Sequence, residues 1–194
     1  MAGKRAGLLS FLFLLLAAWP AAARDFASTV TEADTLPRLR PEFQTPREPN
    51  QLFYVQRSVN ANTVVYAARL DAQGDFDARE PVEGFWRWFN VDGHKKPLNF
   101  IERMMAYGVR TDPPRQDAPR TFRIAALPER SLTLSLDAQK KPQALMRIGD
   151  RNVKVAYVYL QVEEGGLTPK VPALDILGTD TATGRAVHEH LIVK

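Results

Sequence analysis

Short stretches of alternating hydrophobic and polar residues dominate the chain from residue 51 onwards. In residues 62–70, Val64 and Tyr66 fall on one face of a strand, while Thr63 and Val65 fall on the other. A period of two is typical of a β-strand. Comparable alternating or aromatic-rich stretches occupy residues 52–57, 82–90, 122–126, 132–136, 144–148, 153–162, 171–177 and 185–193. With glycine-containing turns at 149–152 and 178–184, the pattern predicts a mainly β fold, an antiparallel β-sandwich or barrel of about eight or nine strands.

One stretch has helical spacing instead. Leu98, Ile101 and Met105 recur on one side of a predicted helix. Pro97 is suited to the first helical position, and Gly108 is suited to end the helix. The β domain is therefore expected to contain one short helix.

Residues 1–23 have the three-part pattern of a secretory signal peptide. Lys4 and Arg5 precede an apolar run over residues 6–19, and Ala21 and Ala23 place small residues at a cleavage site. The run is shorter than the ~20 residues that a membrane-spanning helix needs, which disfavours an uncleaved anchor. We therefore predict a periplasmic or secreted protein with no transmembrane segment after signal cleavage.

Residues 24–50 differ in composition from the rest of the chain. They contain Pro37, Pro41, Pro46 and Pro49 and few large apolar side chains. Proline lacks an amide donor and disfavours helix in the residue before it. We interpret this stretch as a Pro-rich extended leader, either a plain linker or a docking arm, in front of a single β-rich domain over residues 51–194.

Composition narrows the function classes. The chain has no cysteine, so the fold contains no disulfide. Removal of residues 1–23 takes away Lys4 and Arg5 and no acidic residue, which lowers the formal net charge from +4 by two, to +2. Such a mild charge does not favour nucleic acid as a partner.

Several strings resemble a family of uncharacterised exported bacterial proteins that is defined only as a domain of unknown function. They include LFYVQRS at 52–58, NTVVY at 62–66, EPV at 80–82, LNFIER at 98–103 and AYG at 106–108, with the 178–184 turn and Glu189 near the end. The resemblance covers about residues 52–193. It implies export and a single domain, and it brings no activity with it.

The three histidines are the candidate metal ligands. His188 and His190 are two residues apart in a predicted strand, so their side chains are expected on the same face. Zinc sites are built from such pairs plus a third ligand, for which His94 or an acidic residue is available. The alternative is a pair of solvent-exposed histidines. No cofactor is required by any motif; zinc is the one that these residues would bind.

Two groups of residues are candidate ligand contacts. Arg57, with Asn60 and Asn62 nearby, suits a carboxylate or phosphate; the alternative is a structural ion pair of Arg57 with Glu102 or Glu189. Trp86 and Arg87 alternate in an aromatic strand, where Trp86 can stack on a ligand or fill the core.

The predicted helix adds a possible acid–base pair. A glutamate beside a tyrosine can transfer protons, and Glu102 and Tyr107 lie on or just after this helix. The alternative is a surface carboxylate beside a packed tyrosine, and the spacing does not prefer catalysis.

The sequence contains no nucleophile elbow, zinc-protease motif or phosphate-binding glycine loop. The leading hypothesis is therefore a non-catalytic exported domain that binds a small molecule or another envelope protein. One alternative is a metal-assisted hydrolase that uses His188 and His190. Another is a structural envelope subunit that docks through the Pro-rich leader. The sequence does not predict the oligomeric state.

Overall fold

The structure is a computed structural model that describes residues 26–113, 118–164 and 170–193. The predicted signal peptide lies outside the described residues. The strands are β1 (Phe26–Ala33), β2 (Gln51–Arg57), β3 (Asn60–Ala68), β4 (Val82–Arg87), β5 (Lys95–Pro97), β6 (Val109–Thr111), β7 (Thr121–Ile124), β8 (Leu132–Leu136), β9 (Pro142–Ile148), β10 (Arg151–Glu163), β11 (Lys170–Asp180) and β12 (Ala186–Val193). One helix, α1 (Phe100–Glu102), continues into a single π-helical turn (Arg103–Tyr107).

All twelve strands of the described residues belong to one sheet, which curls into an open half-barrel. The mainly β prediction is confirmed, but the described strands form neither a two-sheet sandwich nor a closed barrel. The strand count is also higher than predicted, because β1, β5 and β6 carry little alternating pattern. β5 and β6 are only three residues long, and β1 is almost entirely exposed.

The long strand β10 lies inside the sheet and pairs with three other strands. Along one edge it pairs with β11. Along its other edge its first half pairs with β9, and residues Tyr157–Leu160 pair with β2 in parallel. The order therefore runs β5-β4-β3-β2-β10-β9-β8-β7-β6, with β11, β12 and β1 added on the far side of β10. The parallel β2–β10 pair departs from the all-antiparallel prediction, and it is possible because residues 58–156 separate the two segments.

The two faces of the sheet bury different clusters. The inner face carries the main core, to which strands from β2 to β12 and the π-helical turn contribute, with Phe53, Val64, Tyr66, Phe122, Leu132, Met146, Ile176 and Leu191 among its members. The outer face carries a smaller cluster of Tyr54, Val65, Ala67, Phe85, Tyr157, Tyr159 and Leu177. Leu36 and Leu39 pack against this outer cluster.

The helix begins later than the sequence predicts. Pro97 ends β5, and Asn99 is the N-cap, with a reciprocal pair of hydrogen bonds to Glu102 that forms a capping box. The predicted end at Gly108 is confirmed. A Cβ atom there would lie 1.8 Å from the carbonyl oxygen of Arg103, so the turn requires glycine. The Tyr66 hydroxyl donates to the Tyr107 carbonyl oxygen at 3.0 Å and fixes the turn on the inner face.

The stretch interpreted as a leader contains β1 and the segment 34–50, which crosses the outer face. β1 pairs antiparallel with β12 and extends the sheet by one strand. In the 34–50 segment, the Leu39 amide donates to the Tyr157 hydroxyl at 3.2 Å, and that hydroxyl donates to the Pro37 carbonyl oxygen at 2.5 Å. Burial raises the pKa of Tyr157 to about 12. No helix of the described residues is long and apolar enough to cross a membrane.

Candidate functional site

A row of polar side chains crosses the outer face near the end of the sheet. Directly opposed residues of neighbouring strands share a face. Asp175 of β11 lies opposite Tyr159 of β10 on one side and opposite His190 of β12 on the other. His190 in turn lies opposite Thr29 of β1. In the adjacent row, His188 lies opposite Leu177 and Thr31.

Asp175 and the two histidines form one compact group. The Asp175 Oδ1 atom lies 2.8 Å from His188 Nε2 and 2.7 Å from His190 Nδ1. The Asp175 side chain is only 4% exposed, while those of His188 and His190 are 25% and 33% exposed. A buried carboxylate is therefore approached by two imidazoles that remain open to solvent on their outer side.

This group has the composition of a metal site. One ligand atom from each residue lies within 4.8 Å of the others. Imidazole nitrogen and carboxylate oxygen are usual zinc ligands, and tetrahedral zinc holds such atoms roughly 3.3 Å apart. The observed separations of 2.7–2.8 Å from Asp175 would need to widen by about half an ångström. Small rotations of the two partly exposed rings would provide that space.

The structure places Asp175, and not His94, beside His188 and His190. His188 and His190 share a face, as their spacing predicts. His94 lies in the β4–β5 connection, where its Nδ1 is 2.5 Å from Asp92 Oδ1 and its ring is 5.6 Å from that of Trp88. It is not part of the Asp175 group. Asp180, at the end of the same strand as Asp175, has a different role: it accepts a hydrogen bond from the Ala182 amide in the following turn.

A second polar group lies on the inner face. The Arg57 guanidinium carbon is 5.0 Å from the centre of the Trp86 ring, and Arg57 Nη2 donates to Asn60 Oδ1 at 3.2 Å. The rings of Trp86 and Tyr107 meet edge to face at 5.2 Å. Burial is the main cause that raises the pKa of Tyr107, with smaller opposing effects of Arg57 and Glu102. The sequence candidates Arg57, Asn60, Trp86 and Tyr107 are therefore neighbours.

Three other sequence candidates have structural roles elsewhere. Asn62 accepts a hydrogen bond from the Asn90 amide at 3.0 Å. Arg87 lies on the outer face and binds both carboxylate oxygens of Glu48, at 2.5 and 2.6 Å. Glu102 caps α1 through the Asn99 amide. The bidentate Arg87–Glu48 pair holds the 34–50 segment against the sheet.

Glu189 separates the two histidines in sequence and points to the opposite face. Its buried side chain accepts from Arg130 Nη2 at 2.6 Å and from Ser28 Oγ at 2.8 Å. Glu189 thus pairs with Arg130 and Ser28, and not with Arg57 as one alternative proposed. This contact anchors β1 and the β7–β8 connection to the inner side of β12.

Sequence reasoning missed Asp175 as part of the histidine group. Two signals point to it. Asp175 interrupts an apolar run in β11, and that strand immediately precedes the H-x-H strand. In an antiparallel hairpin, the residue opposite the histidines comes from the preceding strand, so the acid in that strand is the first place to look.

Comparison with known families gives one match. Residues 53–190 match the family described as a domain of unknown function (DUF4833). Neither the curated proteins nor the solved structures contain a match to the chain. The match covers more than half of the 194 residues and includes all members of both polar groups. The chain therefore belongs to the DUF4833 family of domains of unknown function.

Proposed function

We propose that this protein is an exported domain that binds one divalent transition-metal ion, with Zn²⁺ as the best fit, through Asp175, His188 and His190. The observation that carries the proposal is the convergence of a buried carboxylate oxygen and two imidazole nitrogens within 4.8 Å. One oxygen of Asp175 lies within 2.8 Å of a nitrogen of each ring, so three potential ligand atoms are close together. Two imidazoles and a carboxylate are a ligand set that zinc binds in proteins.

The strand geometry supports the proposal because it holds the ligands before any metal arrives. Asp175 and His190 are directly opposed in neighbouring strands, and His188 is two residues away on the same face. Ligands carried by paired strands lose little backbone freedom on binding. The backbone of β11 and β12 is fixed on both sides, by β10 and by β1.

Export is the second part of the proposal. Its support is the N-terminal pattern of a basic start, an apolar run and small residues at 21 and 23. The mass of the protein recovered from an expressing bacterium tests it. Loss of residues 1–23, with the product outside the cytoplasm, is the expected result; a full-length cytoplasmic product would contradict export.

Metal binding is tested by zinc content and by stability. The tag-free protein is treated with chelator, dialysed against Zn²⁺ and analysed for bound metal. One equivalent is expected in the wild type, and none in the His188→Ala/His190→Ala double variant. Zinc at about 100 times its Kd should raise the free energy of unfolding by about 2.7 kcal/mol.

The His94→Ala variant is the matched control, since His94 lies outside the group. It should bind zinc as the wild type does. Absence of bound zinc in the wild type, or equal binding by the double variant, would reject the site. An Asp175→Asn variant that bound zinc with unchanged affinity would reject the carboxylate as a ligand.

A metal-assisted hydrolase is the second candidate function, and one observation favours it. Among the residues that the structure describes, three ligands converge, and both histidines are partly exposed. A tetrahedral ion bound there keeps one position for water, as in catalytic zinc sites. Ester hydrolysis by the zinc-loaded wild type, absent from Asp175→Asn, is the result that would favour this candidate over simple metal binding.

A further inference from the structure

We infer that the inner-face group of Arg57, Trp86 and Tyr107 is a binding site for the carboxylate group of a small molecule. The inference is independent of the proposed metal site, which lies on the other face of the sheet. It starts from two buried donors that have no acceptor among the described residues: Arg57 Nε and Trp86 Nε1.

These two donors are unusual because both are buried and unpaired. Trp86 is only 5% exposed, and Arg57 lies against its ring. A buried donor without a partner costs about 1–3 kcal/mol, and more when it is charged. Folded proteins rarely leave such groups unpaired. The two unpaired donors belong to side chains that pack against each other, so one acceptor group of a ligand would serve both.

The donors define the chemistry of the acceptor. Both groups only donate, and the guanidinium is permanently positive, so the complementary group accepts hydrogen bonds and carries negative charge. The side-chain contacts of Arg57 are to Asn60, Trp86 and Tyr107, and no described carboxylate forms an ion pair with it. A carboxylate has two acceptor oxygens, one for each of the two unpaired donors.

The surroundings favour a carboxylate over a phosphate. Trp86 and Tyr107 are almost fully buried, so a ligand there loses most of its water. A singly charged group is less costly to desolvate than a doubly charged one, and one guanidinium neutralises it. Arg57 itself is partly exposed at the end of β2, which provides the solvent-facing side of the site.

Tryptophan fluorescence offers a direct test. The chain has three tryptophans, Trp19, Trp86 and Trp88. In the Trp19→Phe/Trp88→Phe background of the full chain, emission comes from Trp86 alone. Acetate, succinate, citrate and inorganic phosphate are titrated at constant ionic strength, with chloride as the reference salt.

A saturable change with at least one carboxylate, and none with chloride, is the expected result. Arg57→Gln should weaken that binding roughly 10- to 100-fold, the loss of one hydrogen bond to a charged group. Arg57→Lys keeps the charge but lacks the paired N–H donors of the guanidinium. Its affinity for the carboxylate should therefore lie between those of the wild type and Arg57→Gln. Arg110→Gln is the matched control, because Arg110 is exposed on β6.

Each other outcome overturns the inference. A response to phosphate alone would replace the carboxylate with a different ligand. No saturable response to any probe, or equal binding by Arg57→Gln, would reject the site. Circular dichroism of each variant shows whether it is folded, and Arg57→Lys serves as the test if Arg57→Gln is not.

Discussion

The outer-face group and the inner-face group are both polar, but they are embedded differently. Asp175, His188 and His190 lie near the edge of the sheet that β1 forms, with Thr29 and Thr31 of this exposed strand beside them. Trp86 and Tyr107 belong to the main hydrophobic core. A ligand can therefore reach the two partly exposed histidines from solvent, whereas any change in the inner group also alters the core.

The alternation of strand β12 brings this contrast into consecutive residues. His188 and His190 face outwards and are partly exposed, whereas Glu189 between them is buried on the inner side. The strand therefore presents a partly exposed histidine pair on one face and a buried ion pair on the other face. Substitutions along β12 can separate the two roles.

The largest expected effect concerns the packing of the inner group. Trp86→Ala should lower the free energy of unfolding by about 3–5 kcal/mol, because it leaves a cavity beside Tyr107. The His188→Ala/His190→Ala variant should lose less, about 1–3 kcal/mol in the absence of metal, because it removes the two ring nitrogens that contact the buried Asp175 carboxylate. Urea denaturation measures both. Equal losses would show that the two groups are embedded alike and would remove the basis of the comparison.

The next effect concerns the buried anchor on β12. Arg130→Ala should lower the free energy of unfolding by about 1–3 kcal/mol, since among the described residues it leaves Ser28 as the one donor to the buried Glu189 carboxylate. Arg110→Ala on exposed β6 is the control, and its loss should stay within about 0.5 kcal/mol. Urea denaturation again gives the values. If Arg130→Ala matched the control, the Glu189 pair would not anchor the sheet.

A smaller effect is expected where the 34–50 segment crosses the outer face. Tyr157→Phe removes the acceptor of the Leu39 amide and the donor to Pro37. The Leu39 amide should exchange its hydrogen faster, because its free energy of protection falls by about 1 kcal/mol, a typical contribution of one hydrogen bond. Unchanged exchange at Leu39 would mean that the segment is held by Glu48 and its apolar contacts alone.

Tyr157 also gives a pH dependence with a defined sign. Burial raises its pKa in the folded state to about 12, above the unfolded value of 10. Its contribution to stability is therefore complete below pH 10 and is lost as the pH rises through about 12. Tyr157→Phe should flatten the stability curve in that range, and thermal unfolding at a series of alkaline pH values measures it.

The smallest effect belongs to the turn after β11. The Ala182 amide is the main cause that lowers the pKa of Asp180, with a further contribution from Thr183. A depressed carboxyl pKa stabilises the fold above the unfolded value of 3.8, and this part is lost as the pH falls through the folded value. Asp180→Asn should make unfolding less acid-sensitive in that range. An unchanged acid profile would contradict the assigned role.

Much of the local structure can be predicted from the sequence. The alternation in residues 62–70 and 132–136 predicts β3 and β8, and Gly149 predicts the β9–β10 turn, where its φ is +59°. The single helix was predicted, but its start was wrong because the capping box of Asn99 and Glu102 outweighs the preference of Pro97 for a first turn. Each of these depends on neighbours within a few residues.

The two polar groups could be predicted only in part, because they depend on how the strands pair. The spacing of His188 and His190 placed both on one face, because the side-chain period of a strand is two. Their third partner, Asp175, depends on the register of β11 against β12. The contact of Arg57 with Trp86 depends on how β2, β3 and β4 pair, since these residues are separated by 29 positions.

The sequence alone was enough to predict the β class, the absence of disulfides, most strand positions and the shared face of the histidine pair. These follow from composition and from periodicities within a strand. Three features depend on long-range packing: the sheet is open and curled, β2 and β10 run parallel, and the 34–50 segment crosses the outer face. Such pairings join residues about 100 positions apart, and they are selected by the burial of the whole core, which no local pattern records.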